Sequence, residues 1–156
     1  MLNLFFRLIV RLVALTISFI IATLCAALFI TFALFLEGET RWVREDDLAA
    51  GSAFIFAMIA WFDIAMRSAA PAALVMLCLE LGRFRSLIVN VLAGGAVALI
   101  ALLAPFSTIE PVDGMSQHQF WSVALATGFT GGFVHWMIAG ARSGNWLPVP
   151  RGGGTL

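Results

Sequence analysis

Charge is scarce in this chain. Charged residues make up 12% of 156 positions, nine basic against nine acidic, so the formal net charge is zero. Without a basic excess or a long basic stretch, the electrostatic footprint of a nucleic-acid binder is missing. Lysine and tyrosine are absent, and all nine basic residues are arginine. Two histidines and two unclustered cysteines make no recognisable metal site. There is no GxxxxGKS/T, HExxH, GxSxG or glycine-rich dinucleotide fingerprint, so the sequence offers no motif for an enzyme and implies no cofactor.

What the chain has in excess is apolar length. Hydrophobic residues reach 62% and mean hydropathy is +1.00. Residues 12–36 contain no charge and follow Arg7 and Arg11. About 20 apolar residues cross a hydrocarbon core of roughly 30 Å, so this run is long enough to span a bilayer. Ala22-Thr23-Leu24-Cys25 loosely resembles a lipid-attachment box, but Leu24 stands where a small residue belongs and the apolar run continues beyond it. An uncleaved first transmembrane helix is therefore expected. Cys25 and Cys78 both lie in apolar stretches, where cysteine behaves as a small hydrophobe, and nothing pairs them.

Four apolar stretches appear: residues 12–36, 48–80, 86–104 and 119–141. Pro105 is expected to stop the third, because proline cannot donate the next helical hydrogen bond. Ser116 and Gln119 have capping-box spacing at the start of the fourth. The loop 37–47 holds five acids and two arginines, Ser107 to Gln117 forms a second polar loop, and residues 145–156 read as a flexible cytoplasmic tail. The expected fold is all-α, a polytopic four-helix transmembrane bundle in one domain over residues 1–144, with a kinked or broken second helix. With the N-terminus inside, Arg7, Arg11, Arg83, Arg85, Arg142 and Arg151 are cytoplasmic and only Arg41 and Arg44 lie outside. The positive-inside rule then places both termini in the cytoplasm of a bacterial-type inner membrane, with Trp42 and Trp121 near the outer interface and Trp146 near the inner one.

The second stretch is too long for one upright crossing: as a continuous helix it measures roughly 50 Å at 1.5 Å per residue. Either it is one tilted helix, or residues 48–61 form a separate helix on the outer face. Inside it, Asp63 and Arg67 are four residues apart and share a helical face. Pro71 removes the hydrogen bond to the Arg67 carbonyl, which predicts a kink there, and Ser68 adds a hydroxyl to the patch. Intramembrane charges cost about 2.5–3.5 kcal/mol each even on lenient scales. The pair either neutralises itself and braces the bend or lines a path for an ion, proton or polar substrate.

The fourth stretch carries small residues at steps of four: Ala124, Gly128, Gly132, Gly140 and Gly144, interrupted by Trp136. Such a groove admits another helix closely, from this chain or from a second copy, and Gly94-Gly95 offers a matching surface. His135 falls in the inner half of the same stretch, at a depth where Glu80 and Asn90 also lie. It reads as a hydrogen-bonded interior histidine or as a proton carrier, and spacing alone does not connect it to Asp63. Glu110, Asp113 and His118 form a weak cation-binding candidate. The leading expectation is a small membrane protein acting through helix–helix contacts as accessory subunit, assembly factor or regulator, with the bilayer and a membrane-protein partner or second copy as its contacts. The alternative is an oligomeric channel or ion-coupled transporter using Asp63, Arg67 and His135.

Overall fold

The computed structural model describes residues 2–36, 48–103 and 116–144. These form four helices, α1 (Leu2–Leu36), α2 (Leu48–Leu81), α3 (Leu87–Leu103) and α4 (Gln117–Ile138), followed by a short 3₁₀ turn at Gly140–Arg142. No strand occurs among the described residues. Two helices contain stretches long and apolar enough to cross a membrane, Phe5–Ala33 and Phe54–Leu81, and Leu87–Leu103 is a shorter apolar helix. The loop 37–47, Pro105, Glu110, Asp113, Trp42 and the tail from residue 145 lie outside the described residues.

Several expected boundaries move. α1 begins at Leu2, not near residue 12, because Arg7 and Arg11 are good helix formers and a charge ends an apolar run without ending a helix. α2 is one uninterrupted helix through Pro71, so there is no separate outer-face helix over residues 48–61. Its end is a Schellman motif: the Phe84 N–H donates to Leu79 O at 3.0 Å and the Arg83 N–H to Glu80 O at 3.2 Å. Arg83 takes the left-handed conformation this requires, at φ 55°, a position glycine usually fills. α4 starts on the expected capping box, with Ser116 Oγ accepting from the Gln119 N–H at 3.3 Å and Gln119 Oε1 from the Ser116 N–H at 3.0 Å.

Helices adjacent in sequence pack side by side, and α4 closes the ring by packing on α1. The α3–α4 contact is the most extensive and the α2–α3 contact the thinnest. The interior is small and polar. Among the described residues, the buried apolar side chains are alanines, with Leu79 the one larger exception. Beside them lie Ser18, Thr23, Thr31, Ser68, Glu80, Asn90, Thr127 and His135. The large apolar side chains point outward, among them Phe5, Phe6, Phe54, Phe62, Met66, Leu74 and Ile88. Interior hydroxyls are satisfied locally: Thr31, Ser68 and Thr127 each donate to the carbonyl four residues back.

Candidate functional site

The best-built polar constellation sits where α1 starts and α2 and α4 end. Arg11 forks onto Glu80, Nε to Oε1 at 2.6 Å and Nη2 to Oε2 at 2.7 Å, and Nη2 also donates to Ala139 O at 3.0 Å. Both side chains are well buried, 12% and 5% exposed. A planar guanidinium suits this task, since it meets both carboxylate oxygens at once and keeps a donor for a third element. One side chain thus ties α1, α2 and the end of α4.

A second layer lies beside it. Ser18 Oγ is 2.8 Å from His135 Nδ1 and 3.4 Å from His135 O, joining α1 to α4. Asn90, 1% exposed on α3, donates from Nδ2 to Ser86 O at 2.9 Å, while its Oδ1 is buried without a hydrogen-bond partner among the described residues. The turn between α2 and α3 is held to the end of α4 from both sides: Arg85 Nε donates to Ser143 O at 3.0 Å and Trp136 Nε1 to Arg85 O at 2.9 Å.

Asp63 and Arg67 do meet, through one bond from Nε to Oδ1 at 2.7 Å, and they remain 44% and 29% exposed. Just before Asp63 on α2, Trp61 Nε1 reaches Thr23 Oγ1 on α1 at 3.1 Å. A cavity of about 330 Å³ runs between the four helices. Its walls are mostly apolar, and it is bordered by Asp63, Arg67, Ser68, Asn90, Thr127 and His135. The structure therefore brings all four polar candidates, Asp63, Arg67, Ser68 and His135, onto one cavity, a link that spacing alone does not make.

The small-residue series divides. Gly128 and Gly132 face α3: a Cβ on Gly132 would stand 2.5 Å from Asn90 O, and one on Gly128 2.6 Å from Ala98 Cβ. Ala124 borders the cavity. Gly140 and Gly144 are not on the helix, because α4 ends at Ile138. Gly140 opens the 3₁₀ turn against Asn90, where a Cβ would lie 2.6 Å from Oδ1, and Gly144 adopts φ +72° beside Arg83. Gly131, outside the series, turns toward α1, and a methyl added there would find nothing closer than 3.7 Å.

The sequence places Glu80 and Asn90 at the depth of His135 but does not pair Glu80 with Arg11 or single out Ser18. The available signal is two lone opposite charges at the same end of neighbouring antiparallel helices. Chemically, the arrangement braces helices and borders a partly open cavity, and among the described residues no nucleophile is held against a base with a third orienting group. No protein family, curated protein or solved structure matches this chain.

Proposed function

We propose that the protein is a four-crossing integral membrane protein of a bacterial-type inner membrane, with both termini cytoplasmic. In this reading it is not an enzyme, and it acts through helix–helix contacts as an accessory subunit, assembly factor or regulator of a membrane complex. The observation that carries the reading is the inverted distribution of side chains. In water, an exterior of Phe, Ile, Leu and Met around a core of Ala, Ser, Thr and the Arg11–Glu80 pair would be unfavourable. In lipid it is the expected solution, since small residues let helices approach and interior polar groups bond one another. α4 reads as less apolar than α1 because its Thr127, Gly128, Gly132 and His135 face the bundle. Arg11, Arg85 and the turn that ends at Arg142 gather at one end of the bundle, which supports placing them on one side of the membrane.

The contact face for a partner is not α4, whose Gly128 and Gly132 are taken up by α3 and whose Gly131 turns toward α1. A groove on the outward side of α1 and α2 has the required character: Ala69 and Ala73, one turn apart and both exposed, lie beside Leu8, Leu12 and Leu15. Copurification in lipid nanodiscs tests the reading. A stoichiometric foreign membrane protein, lost on Ala69→Leu/Ala73→Leu, is the expected result; a pure homo-oligomer with a water-accessible interior would overturn it. For topology, reporters fused to the tail and inserted in the loop 37–47 are expected on opposite sides, tail inside. A periplasmic tail contradicts the four-crossing arrangement.

One observation favours transport as a second reading: Asp63, Arg67 and His135 border the same cavity. Against it, Arg67 is closed onto Asp63 and the walls are largely apolar. The expected outcome for the pair is structural. Asp63→Ala destabilises, and a double neutral replacement of similar volume recovers most of the loss. That double variant should also complement a deletion strain; a stable double variant that fails to do so moves transport to first place.

A further inference from the structure

One charged pair in this chain is neither buried nor fully bonded. Asp63 and Arg67 lie at the middle of the apolar stretch Phe54–Leu81, and their side chains remain 44% and 29% exposed. A single bond joins them, Arg67 Nε donating to Asp63 Oδ1 at 2.7 Å. Asp63 Oδ2 and both Nη groups of Arg67 have no hydrogen-bond partner among the described residues, so most of the guanidinium's donors stay unused. Lipid tails supply neither donors nor acceptors. At mid-depth in a bilayer, such a pair calls for polar groups from outside these helices.

The pair also belongs to a repeat. Phe56, Ala60, Asp63, Arg67, Ala70 and Leu74 follow alternate steps of four and three, the spacing with which one helix meets another in a left-handed pair. Phe56 and Leu74 are 40% and 67% exposed, and Ala70 is exposed between the charges and Leu74. α1 is held from elsewhere: Trp61, which bonds Thr23, points away from this seam at roughly 100° per residue. α3 packs on α2 only thinly. The partly open cavity reaches the same edge of α2, since Phe56, Ala60, Asp63 and Arg67 all border it.

We propose that a second copy of the chain docks on this seam, α2 against α2, with the two Asp63–Arg67 pairs bonded to each other. Copies inserted in one membrane share an orientation, so a two-fold axis along the membrane normal sets each pair beside its twin at equal depth. Arg67 already reaches back about 6 Å along the helix to its own Asp63, and the same reach offers an Nη group to Asp63 of the second copy. Each guanidinium then serves two carboxylates, and each carboxylate accepts from two guanidiniums. A second copy carries the opposite charge at the matching depth by necessity. A foreign helix would have to supply it independently, and water would have to fill a space whose walls are largely apolar. The charges fix the register of an otherwise apolar seam, as a polar core position does in a coiled coil. This dimer presupposes the membrane reading. It leaves the groove at Ala69 and Ala73 free for a foreign partner, because those residues lie off the seam, and it joins helices without creating a water-filled lumen.

The test uses the full chain in lipid vesicles, in a Cys25→Ala/Cys78→Ala background. On oxidation, Ala70→Cys and Leu74→Cys are expected to form symmetric disulfides, and Ala69→Cys and Phe62→Cys are not. Energy transfer between labelled copies, followed as lipid dilutes the protein, measures association. The neutral pair Asp63→Leu/Arg67→Met should stay folded and associate about tenfold more weakly, the loss expected when two interhelical bonds in lipid go unmade. The like-charge variants Asp63→Arg and Arg67→Asp should each fail to self-associate, and an equal mixture of the two should recover dimers. Should the like-charge variants fail to fold, the neutral pair carries the test, with its fold read by SDS titration. Neutral-pair dimers as tight as those of the unaltered chain would overturn the proposal, as would equal crosslinking at positions 69 and 70, or a chain that stays monomeric at high protein density. A monomer that remains inserted through alkaline extraction overturns the dimer alone. A chain released by that extraction overturns the membrane reading with it.

Discussion

Replacing Arg11 with methionine is expected to destabilise the bundle by about 3–5 kcal/mol, the cost of breaking a buried ion pair from one side. The change takes both guanidinium bonds from the Glu80 carboxylate, only 5% exposed, and removes the donor to Ala139 O. Arg11→Lys should recover only part of the loss, since an ammonium does not present the fork that meets both carboxylate oxygens and a carbonyl together. Arg11→Met/Glu80→Leu should recover most of it, because removing both charges eliminates the desolvation penalty along with the attraction. Unfolding of singles and double in mild detergent, followed by circular dichroism against added SDS, measures the cycle. A loss below about 1 kcal/mol in the single variant would mean that the pair is solvated like a surface bridge.

Gly132→Leu is expected to separate α3 from α4, with Gly128→Leu close behind. At Gly132 even a methyl would meet Asn90 O at 2.5 Å and the Cα atoms of Gly94 and Val91 at 3.1 Å, all backbone that has no rotamer through which to yield. Overpacking ordinarily costs about 1–3 kcal/mol, and a leucine against backbone belongs at or above the upper end. Gly131→Ala is the informative control, since its Cβ would find nothing nearer than 3.7 Å and should be neutral or slightly stabilising. Val134→Leu should likewise do little, as that side chain is only half-buried. Equal melting of the Gly132 and Gly131 variants would mean that the close α3–α4 approach does not contribute to stability.

The helices are legible in the sequence because a polar backbone among apolar side chains has few ways to satisfy its own hydrogen bonds, so long apolar runs read as helices. Their ends are less so. Hydropathy starts the first helix where charge stops, although Arg7 and Arg11 sit within it. The small-residue pattern carries the fourth through Gly140, whose position just past the last helical residue is itself a terminator signal. Counting Gly140 and Gly144 by steps of four hides that they close a turn against Asn90 and Arg83. Asp63 and Arg67 are easy to find because they are neighbours on one helix. Arg11 and Glu80 are 69 residues apart, and only the packing of α1 on α2 reveals them as a pair. The depth of Asn90 can be read from its position in the third stretch. Its unpaired oxygen, which faces the glycine at 140, has no signature in its own neighbourhood.

The tie made by Arg11 also orders the protein's birth. Its guanidinium emerges near the start of synthesis, yet one partner lies 69 residues later and the other 128. Until α2 is complete the arginine must stay in polar surroundings, and until α4 arrives its bond to Ala139 O stays unmade. A nascent chain arrested before Glu80 is in place therefore shows an uncompensated cation, and one arrested between α2 and α4 shows a neutralised pair with the bond to Ala139 O still unmade. If the protein is inserted in a membrane as proposed, proteases and insertion chaperones would meet in that cation a marker of incompleteness, one that disappears when α2 delivers Glu80 and that α4 then locks in place.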